Sequence, residues 1–309
     1  MKIVDKRFLF FVISIILVVI SLASLGVFGI KSGVEFASGS ILRISFEKPV
    51  AQDALKVQMD NLGYKNALIN SAGSSGTDFI IRTAPLDEAT KAKIITTLTA
   101  SLGALTVPEF DNISPMIASE TTRNAGIAVI IAIFAMLLYI AFAFRKMPNP
   151  FRYGFCAVIG LAFDLIIVLG IYSILGAIRG WEIDLMFVAG ILAVLGFSIN
   201  NTIIVFDRIR ENMGKGVSRD IEEVANFSIV ETLGRSFNSS LTALITLAVL
   251  ALFVGASIQN FVIVLMIGVV SGVYTSTFLS PELLVAWQKR QWKGSAGKDN
   301  SLAAAKAKS

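Results

Sequence analysis

The fold is decided by residues 185–206, LMFVAGILAVLGFSINNTIIVF. This run carries no charged side chain, and about 20 apolar residues in a helix cross the hydrocarbon core of a bilayer. Five further mostly apolar runs have a similar length: 8–30, 124–144, 151–175, 233–256 and 260–287. Because 55% of the 309 residues are hydrophobic and only 16% are charged, the composition also favours a membrane protein. We therefore predict a polytopic α-helical membrane protein with six transmembrane helices.

The basic residues beside these runs predict the orientation of the chain. They collect on one side of a six-span arrangement: Lys2, Lys6 and Arg7 before the first span, Arg145, Lys146 and Arg152 between the second and third, Arg208, Arg210, Lys215 and Arg219 after the fourth, and Lys289, Arg290 and Lys293 after the last. The positive-inside rule then places both termini in the cytoplasm. A cleaved signal peptide is the alternative for the N-terminus, but the apolar stretch continues to Ile30 and exceeds the length of such a peptide's core.

Residues 31–122 differ from the rest in carrying interspersed charges, and they predict a soluble domain. Strand-like runs at 33–46, 66–71, 78–83 and 105–110 alternate with helix-like runs at 51–62 and 87–102. The order βαββαβ is typical of a ferredoxin-like unit, with a hairpin turn at 73–76. The orientation places this domain outside the cytoplasm, where we expect a protein-binding surface. Residues 1–30 then hold the first span, 123–288 the other five, and 289–309 a disordered cytoplasmic tail.

The residue types that are missing exclude several classes of function. The chain has no histidine and one cysteine, Cys156, so a histidine-based zinc site, a Ser-His-Asp triad and an internal disulfide are excluded. No Walker-type phosphate loop occurs. The net charge of +5 is explained by membrane topology rather than by nucleic-acid binding. We expect neither an enzyme nor a cofactor.

Three sequence motifs resemble the SecD/SecF family of export proteins. Residues 33–40, GVEFASGS, are similar to the stretch that opens the extracytoplasmic domain of that family. Residues 200–212, NNTIIVFDRIREN, resemble the motif at the end of its fourth span, and residues 232–242, TLGRSFNSSLT, resemble its fifth-span segment. The resemblance covers the chain up to about residue 294.

The resemblance implies a function in bacterial protein export at the inner membrane. It implies a subunit that pairs with SecD and is related in architecture to the RND exporters. Further implied partners are the SecYEG translocon, YajC, the unfolded preprotein in transit and membrane lipid. Proton or sodium flow through the spans is then expected to drive movement of the extracytoplasmic domains. Classical RND exporters duplicate the unit of span, domain and spans, whereas this chain has one copy and requires a second half.

Polar residues inside the predicted spans are the candidate ion-relay or gating residues, because ionisable groups are costly there. On the fifth span, helical spacing places one stripe that we expect to face the bundle interior: Arg235, Asn238, Ser239 and Thr242, continued by Thr246. The alternative is that Arg235 reaches the cytoplasmic headgroups while the hydroxyls pack helices. The resemblance implies an aspartate where this chain has Asn201, and an amide cannot carry a proton. By helix rise Asn201 and Arg235 lie at similar depth, which allows a direct contact; the role of Asn201 is either in transport or in an interhelical hydrogen bond.

Asp164 is the deep carboxylate of the third span. It lies about 18 Å inward of Arg152 by helix rise, too far to reach the headgroups. It is either a protonatable relay member or a structural hydrogen-bond partner of a neighbouring helix. At the end of the fourth span a family motif forms a predicted cluster of interfacial anchors: Asn200, Asp207, Arg208, Arg210 and Glu211.

Two competing functions stay open on the sequence alone. One is a half of an RND-like transporter of a small solute or lipid, and the other is a membrane scaffold without ion coupling. The neutral Asn201 favours the scaffold more than a carboxylate there would.

Overall fold

A computed structural model describes residues 3–71, 76–147, 149–253 and 256–288. The predicted turn at 73–75, the end of the fifth predicted span at 254–255 and the tail 289–309 lie outside the described residues. In chain order the elements are α1 (Arg7–Phe28), α2 (Val34–Ala37), β1 (Gly39–Phe46), α3 (Gln52–Asn61), β2 (Leu68–Ser71), β3 (Asp78–Thr83), α4 (Glu88–Leu102), β4 (Leu105–Ile113), α5 (Pro115–Ala143), α6 (Pro150–Arg179), α7 (Leu185–Gly214), α8 (Ile221–Phe253) and α9 (Ala256–Tyr274). A π-helical turn at Thr275–Leu279 follows α9, and the helix continues through 280–288.

The described residues contain six helices long and apolar enough to cross a membrane, which confirms the predicted number. They are α1, α5, α6, α7, α8 and the helix formed by α9 with its continuation. Several extend beyond the apolar run, because hydrophobicity marks the bilayer crossing while the helix continues into water until a cap ends it. At one such end, Ser114 caps α5 by accepting a hydrogen bond from the Ile117 amide.

Three of these helices form the centre of the bundle. Between 50% and 56% of the apolar windows of α6, α7 and the α9 helix are buried, against 11–17% for α1, α5 and α8. Glycines allow this close packing: a Cβ on Gly268 would overlap the side chain of Val194 on α7, and one on Gly272 would lie 3.2 Å from Ser198. The outer helices expose much of their apolar surface to lipid or to a partner.

The segment between α1 and α5 folds as a four-stranded antiparallel sheet with two helices. The strand order is β2-β3-β1-β4, with Leu42 of β1 opposite Ile81 of β3 and Phe110 of β4. Alternate side chains of β1 are buried, as expected for a sheet with one covered face. Its core joins strand and helix residues: Leu42, Ile44, Phe79, Ile81, Leu55, Met59, Ile94 and Leu98.

The start of this domain differs from the prediction. Residues 33–46 were expected to form one strand, but Val34–Ala37 is a short helix and the strand begins at Gly39. Two residues with positive φ, Ser38 at 64° and Gly39 at 144°, separate helix from strand. The backbone before them pairs elsewhere: the Gly33 amide donates to Ile183 O at 2.8 Å, and the Ile183 amide donates to Lys31 O at 2.8 Å.

These backbone bonds form a junction between the sheet domain and the loop that joins α6 to α7. A charged pair also spans it, since Arg82 Nε of β3 lies 3.4 Å from Glu182 Oε2 of the loop. Glu182 is only 4% exposed. The sheet domain is therefore tied to the centre of the helix bundle and not only to the ends of α1 and α5.

Candidate functional site

Asp164 forms the centre of a buried polar site between α6, α7 and α9. Its side chain is 0% exposed. Ser198 Oγ of α7 donates to Oδ2 at 2.5 Å, while Ser271 Oγ of α9 and Thr275 Oγ1 of the π turn donate to Oδ1 at 2.5 and 2.6 Å. Three helices of the central bundle thus meet on one carboxylate.

The partners of Asp164 suit both protonation states of the carboxyl group. Each hydroxyl has one proton to donate and two lone pairs that accept, and it rotates freely between these roles. Thr275 Oγ1 also lies 3.0 Å from Ser271 O, so its proton has a second acceptor when Asp164 is itself protonated. Among the described residues, the hydrogen-bond partners of Asp164 are hydroxyls and carry no charge. The site can therefore take up and release a proton without leaving a hydroxyl unpaired.

Asn201 lies one turn beyond Ser198 on α7 and is 1% exposed. Its Nδ2 has no hydrogen-bond partner in the described part of the chain. Arg235, in contrast, is exposed on α8, and no hydrogen bond joins it to Asn201 within the described residues. The Nδ2 group of Asn201 is therefore a buried hydrogen-bond donor without a described partner, one helical turn from Ser198 of the Asp164 site.

Within this chain taken alone, the Arg235 stripe does not face the interior of the helix bundle. Arg235, Asn238, Ser239 and Thr242 are all exposed on α8. The buried face of that helix carries a second polar row at four-residue spacing: Ser228, Thr232, Ser236 and Ser240. Helical periodicity gives both rows equally, so the sequence could not decide which of them packs inward.

A hydrogen bond between α7 and α8 fixes their register. Asn212 Nδ2 donates to Ser228 Oγ at 2.9 Å. Because the helices are antiparallel, Asn201, eleven residues before Asn212, lies level with Ser239, eleven residues after Ser228. Arg235 is four residues, or about 6 Å, nearer the end of the bundle that carries Arg208 than that level. The depth of Arg235 relative to Asn201, as estimated from helix rise alone, therefore differs from that in the structure by about one helical turn.

The family motif at the end of α7 forms ion pairs at the predicted helix end. Arg208 binds Glu231 of α8 through two bonds, Nε to Oε2 at 2.5 Å and Nη2 to Oε1 at 2.8 Å. It also donates to Glu211 at 2.5 Å, and Arg210 pairs with Asp207 at 2.5 Å. Asn200, in contrast, is exposed away from this cluster. The motif joins α7 to α8 rather than contacting Asp164.

Four residues of the buried polar system were not predicted from the sequence. Ser198, Ser271 and Thr275 resemble ordinary helix-packing hydroxyls, and only the three-dimensional contact with Asp164 identifies them. Glu282 carried a usable signal, since it is a carboxylate inside the predicted sixth span. It is 0% exposed, and neither carboxylate oxygen has a partner among the described residues.

A second group of charges lies at the junction of the sheet domain with the α6–α7 loop. Burial raises the pKa of Glu182, an effect that Arg82 opposes and that Glu35 and Asp184 increase. Burial likewise raises the pKa of Glu35. No group of His, Cys, Asp and Glu that could hold a metal ion occurs within residues 3–71, 76–147, 149–253 and 256–288. The junction therefore holds two carboxyl groups whose pKa values are raised by burial.

Comparisons with known proteins agree on one family. The model of the family "Protein export membrane protein SecD/SecF, C-terminal" matches residues 93–290. The protein translocase subunit SecF of Thermobaculum terrenum is 36% identical over 300 residues, which cover 94% of this chain and 95% of the relative. SecDF of Bacillus subtilis is 30% identical over 293 residues, 94% of this chain and 38% of the longer protein.

A solved structure shows the same architecture. The crystal structure of SecDF from Thermus thermophilus, described as a translocon-associated membrane protein, matches with a TM-score of 0.82 and 28% identity. The match covers 94% of this chain, which spans 39% of that protein. With six membrane-crossing helices, these relatives indicate a multi-pass protein of the inner membrane. Because the family model matches more than half of the chain and the SecF relative matches nearly its full length, the chain belongs to the SecD/SecF family of protein-export membrane proteins.

Proposed function

We propose that this chain acts as a SecF-type subunit of the protein-export machinery. It pairs with a SecD-type subunit and uses the transmembrane ion gradient to promote translocation of polypeptides across the inner membrane. The observation that carries this proposal is Asp164, a fully buried carboxylate whose three hydroxyl partners accommodate both the charged and the protonated form. That arrangement supports a role in ion transport.

The exposed Arg235 stripe supports a partner of the SecD type. An arginine that faces hydrocarbon is costly, and the stripe continues inward to Thr242 and Thr246. A second membrane subunit that covers α8 would supply polar partners for these side chains. Fusion of both halves in the SecDF relatives agrees with such a pairing.

The orientation and the soluble domain complete the proposal. The positive-inside rule places both termini in the cytoplasm and the sheet domain outside it. The order β2-β3-β1-β4 with two helices on one face supports a ferredoxin-like domain there. Bound to the bundle through Arg82 and Glu182, this domain can transmit a change in the helices to a preprotein outside. SecYEG and YajC are further proposed partners.

Complementation tests the proposed function. A strain that lacks its own SecF should regain gradient-stimulated export when it carries this chain with its cognate SecD. Export that is restored but insensitive to collapse of the gradient would favour a scaffold without ion coupling, an alternative that the neutral Asn201 supports. Absence of any effect on export, with the protein inserted, would reject the proposal.

A further inference from the structure

Glu282 is a buried carboxylate that the mechanism above does not use. It lies in the helix that continues α9 and is 0% exposed. Asp164 has three hydrogen-bond donors, whereas both oxygens of Glu282 lack a partner among the described residues. An ionised carboxylate in such a place is costly, while the protonated form loses far less on leaving water. Buried unpaired groups of this kind call for a functional explanation.

The contacts of α9 with α1 place Glu282 near the cytoplasmic end of the bundle. Tyr274 Oη donates to Phe10 O at 2.8 Å, and the rings of Phe278 and Phe10 stack at 4.5 Å. Because the two helices are antiparallel, the next turn of the α9 helix reaches the beginning of α1, where Arg7 lies. Arg7 is the charged group whose electrostatic attraction favours an anionic Glu282.

Arg7 does not form an ion pair with Glu282, because its guanidinium binds Glu222 of α8. The titratable and charged groups around Glu282 in the described chain are therefore Arg7 of α1, Glu222 of α8 behind it, and Tyr274 of α9. A positive charge close by but already paired lowers the cost of a transient anion without holding it permanently.

A row of polar groups leads from Asp164 to Glu282 along the same helix. Thr275 binds Asp164, and Ser280, also 0% exposed, presents an Oγ without a partner among the described residues. Gly160 of α6 lies between them: a Cβ there would be 2.6 Å from Thr275 Cγ2 and would overlap Ser280 Oγ. A π-helical turn begins at Thr275 and ends directly before Ser280, and such turns are often found at functional sites. From Thr275 to Glu282 the helix rises about 10 Å.

The geometry points to Glu282 as a second proton-carrying carboxylate, which exchanges protons between Asp164 and the cytoplasm. This inference rests on the proposed ion coupling. Protonated Asp164 releases its proton through the Thr275 and Ser280 hydroxyls, bridged by water, and becomes an anion that keeps its hydroxyl donors. Glu282 gains that proton and becomes neutral. It then passes the proton to the cytoplasm, and Arg7 stabilises the anion that is left.

Infrared difference spectroscopy during a pH titration tests Glu282 directly. The sample is the full chain with its cognate SecD in vesicles. The variants are Glu282→Gln, which cannot titrate, Glu282→Asp, which keeps a carboxyl group, and Asp164→Asn; Glu88→Gln, on the exposed surface of the sheet domain, is the control. We expect a carboxylic-acid C=O band that disappears in Glu282→Gln, persists in Glu282→Asp and the control, and differs from the band lost in Asp164→Asn. A Glu282→Gln spectrum equal to that of the wild type would overturn the inference.

Gradient-driven proton movement in the same vesicles separates this inference from the proposed function. We expect Glu282→Gln to reduce proton movement to the level of Asp164→Asn, with normal insertion and assembly. A wild-type complex that moves protons, and a Glu282→Gln complex that moves them equally well, would reject the role of Glu282 alone. A wild-type complex that moves no protons rejects this inference, whatever the infrared spectra show; export by that complex that still depends on a sodium gradient would leave the proposed function standing, and export independent of both gradients would reject the ion coupling too.

Discussion

The carboxylate of Asp164 accepts a 2.5 Å hydrogen bond from Ser198 Oγ across the contact between α6 and α7. Both side chains are buried, and Gly272 of α9 packs directly on Ser198. The bond therefore connects the deep carboxylate to the helix that also carries Asn201 and the family motif at 200–212. A change in the charge of Asp164 would directly alter this contact between α6 and α7.

Ser198→Ala should weaken the site without abolishing it. The substitution removes one of three donors, and loss of a hydrogen bond to a charged buried group costs about 1–3 kcal/mol. We expect a lower midpoint of thermal unfolding in detergent and reduced, but still gradient-dependent, export. Ser239→Ala on the exposed face of α8 is the matched control and should unfold as the wild type does. Equal midpoints for the two variants would contradict the assigned bond.

Gly268→Ala should disrupt the packing of α9 on α7. The added methyl group would overlap the side chain of Val194, and overpacking of this kind costs about 1–3 kcal/mol. Gly196→Ala is the control, since a Cβ at Gly196 meets no atom within 4 Å. Thermal unfolding of both variants measures the difference. A Gly268→Ala protein as stable as Gly196→Ala would show that the two helices do not approach this closely.

Arg235→Ala should impair assembly with the SecD-type partner while leaving the chain inserted. The arginine is exposed in the isolated subunit and has no ion pair among the described residues. The free-energy cost of placing its charge in the membrane is therefore offset only by a partner subunit. Co-purification in mild detergent measures the loss. Leu241→Ala, at an exposed apolar residue of the same helix, is the control. Equal recovery of the partner with both variants would show that the Arg235 stripe is not part of the interface.

The junction between sheet domain and helix bundle should weaken as pH rises. The folded pKa values of Glu182 and Glu35 are raised, so the folded state binds these protons more tightly than the unfolded chain does. Their contribution to stability is complete below the unfolded value of about 4.3 and is lost as pH increases through the raised pKa values. Unfolding midpoints of wild type and Glu182→Gln, compared across this range, should differ in slope.

Glu88→Gln is the matched control for this pH dependence, because Glu88 is exposed and pairs only with Lys91 in the described chain. It should leave the slope unchanged. A Glu182→Gln protein whose stability varies with pH as the wild type does would show that Glu182 is not perturbed at the junction.

Asn201→Asp should preserve export. Asparagine and aspartate are nearly isosteric. Asn201 Nδ2 has no hydrogen-bond partner among the described residues, so the exchange breaks no hydrogen bond of that group. The contact with Arg235 that would stabilise an anion is absent in the isolated chain, so we expect the introduced carboxyl group to be tolerated in its protonated form. Gradient-dependent secretion by Asn201→Asp and Asn201→Leu is the measurement. Loss of export in the aspartate variant alone would mean that neutrality at this position is essential.

The sequence predicted the features that depend on hydrophobic length and on depth. Six spans follow from apolar runs, and Asp164 was identified because no side chain at mid-span can reach water. The direction of the Arg235 stripe could not be predicted, since α8 carries two polar rows and only its packing on α7 selects Ser228 and Ser236 as the inner one. Periodicity also could not show that 34–37 form a helix, because the backbone just before them, at Lys31 and Gly33, bonds to Ile183, which is 150 residues further along the chain than Gly33.

Replacement of Asp164 by asparagine tests the central claim most directly. The amide of the Asp164→Asn variant would keep the size and the hydroxyl contacts of the buried site but could not bind and release a proton. In proteoliposomes that contain the translocon, the cognate SecD and this subunit, preprotein translocation should fall to the rate measured with the gradient collapsed, with the subunit inserted and assembled normally. Translocation that still accelerates fully with the gradient in the Asp164→Asn subunit would contradict the assignment of Asp164 as the ion-carrying group.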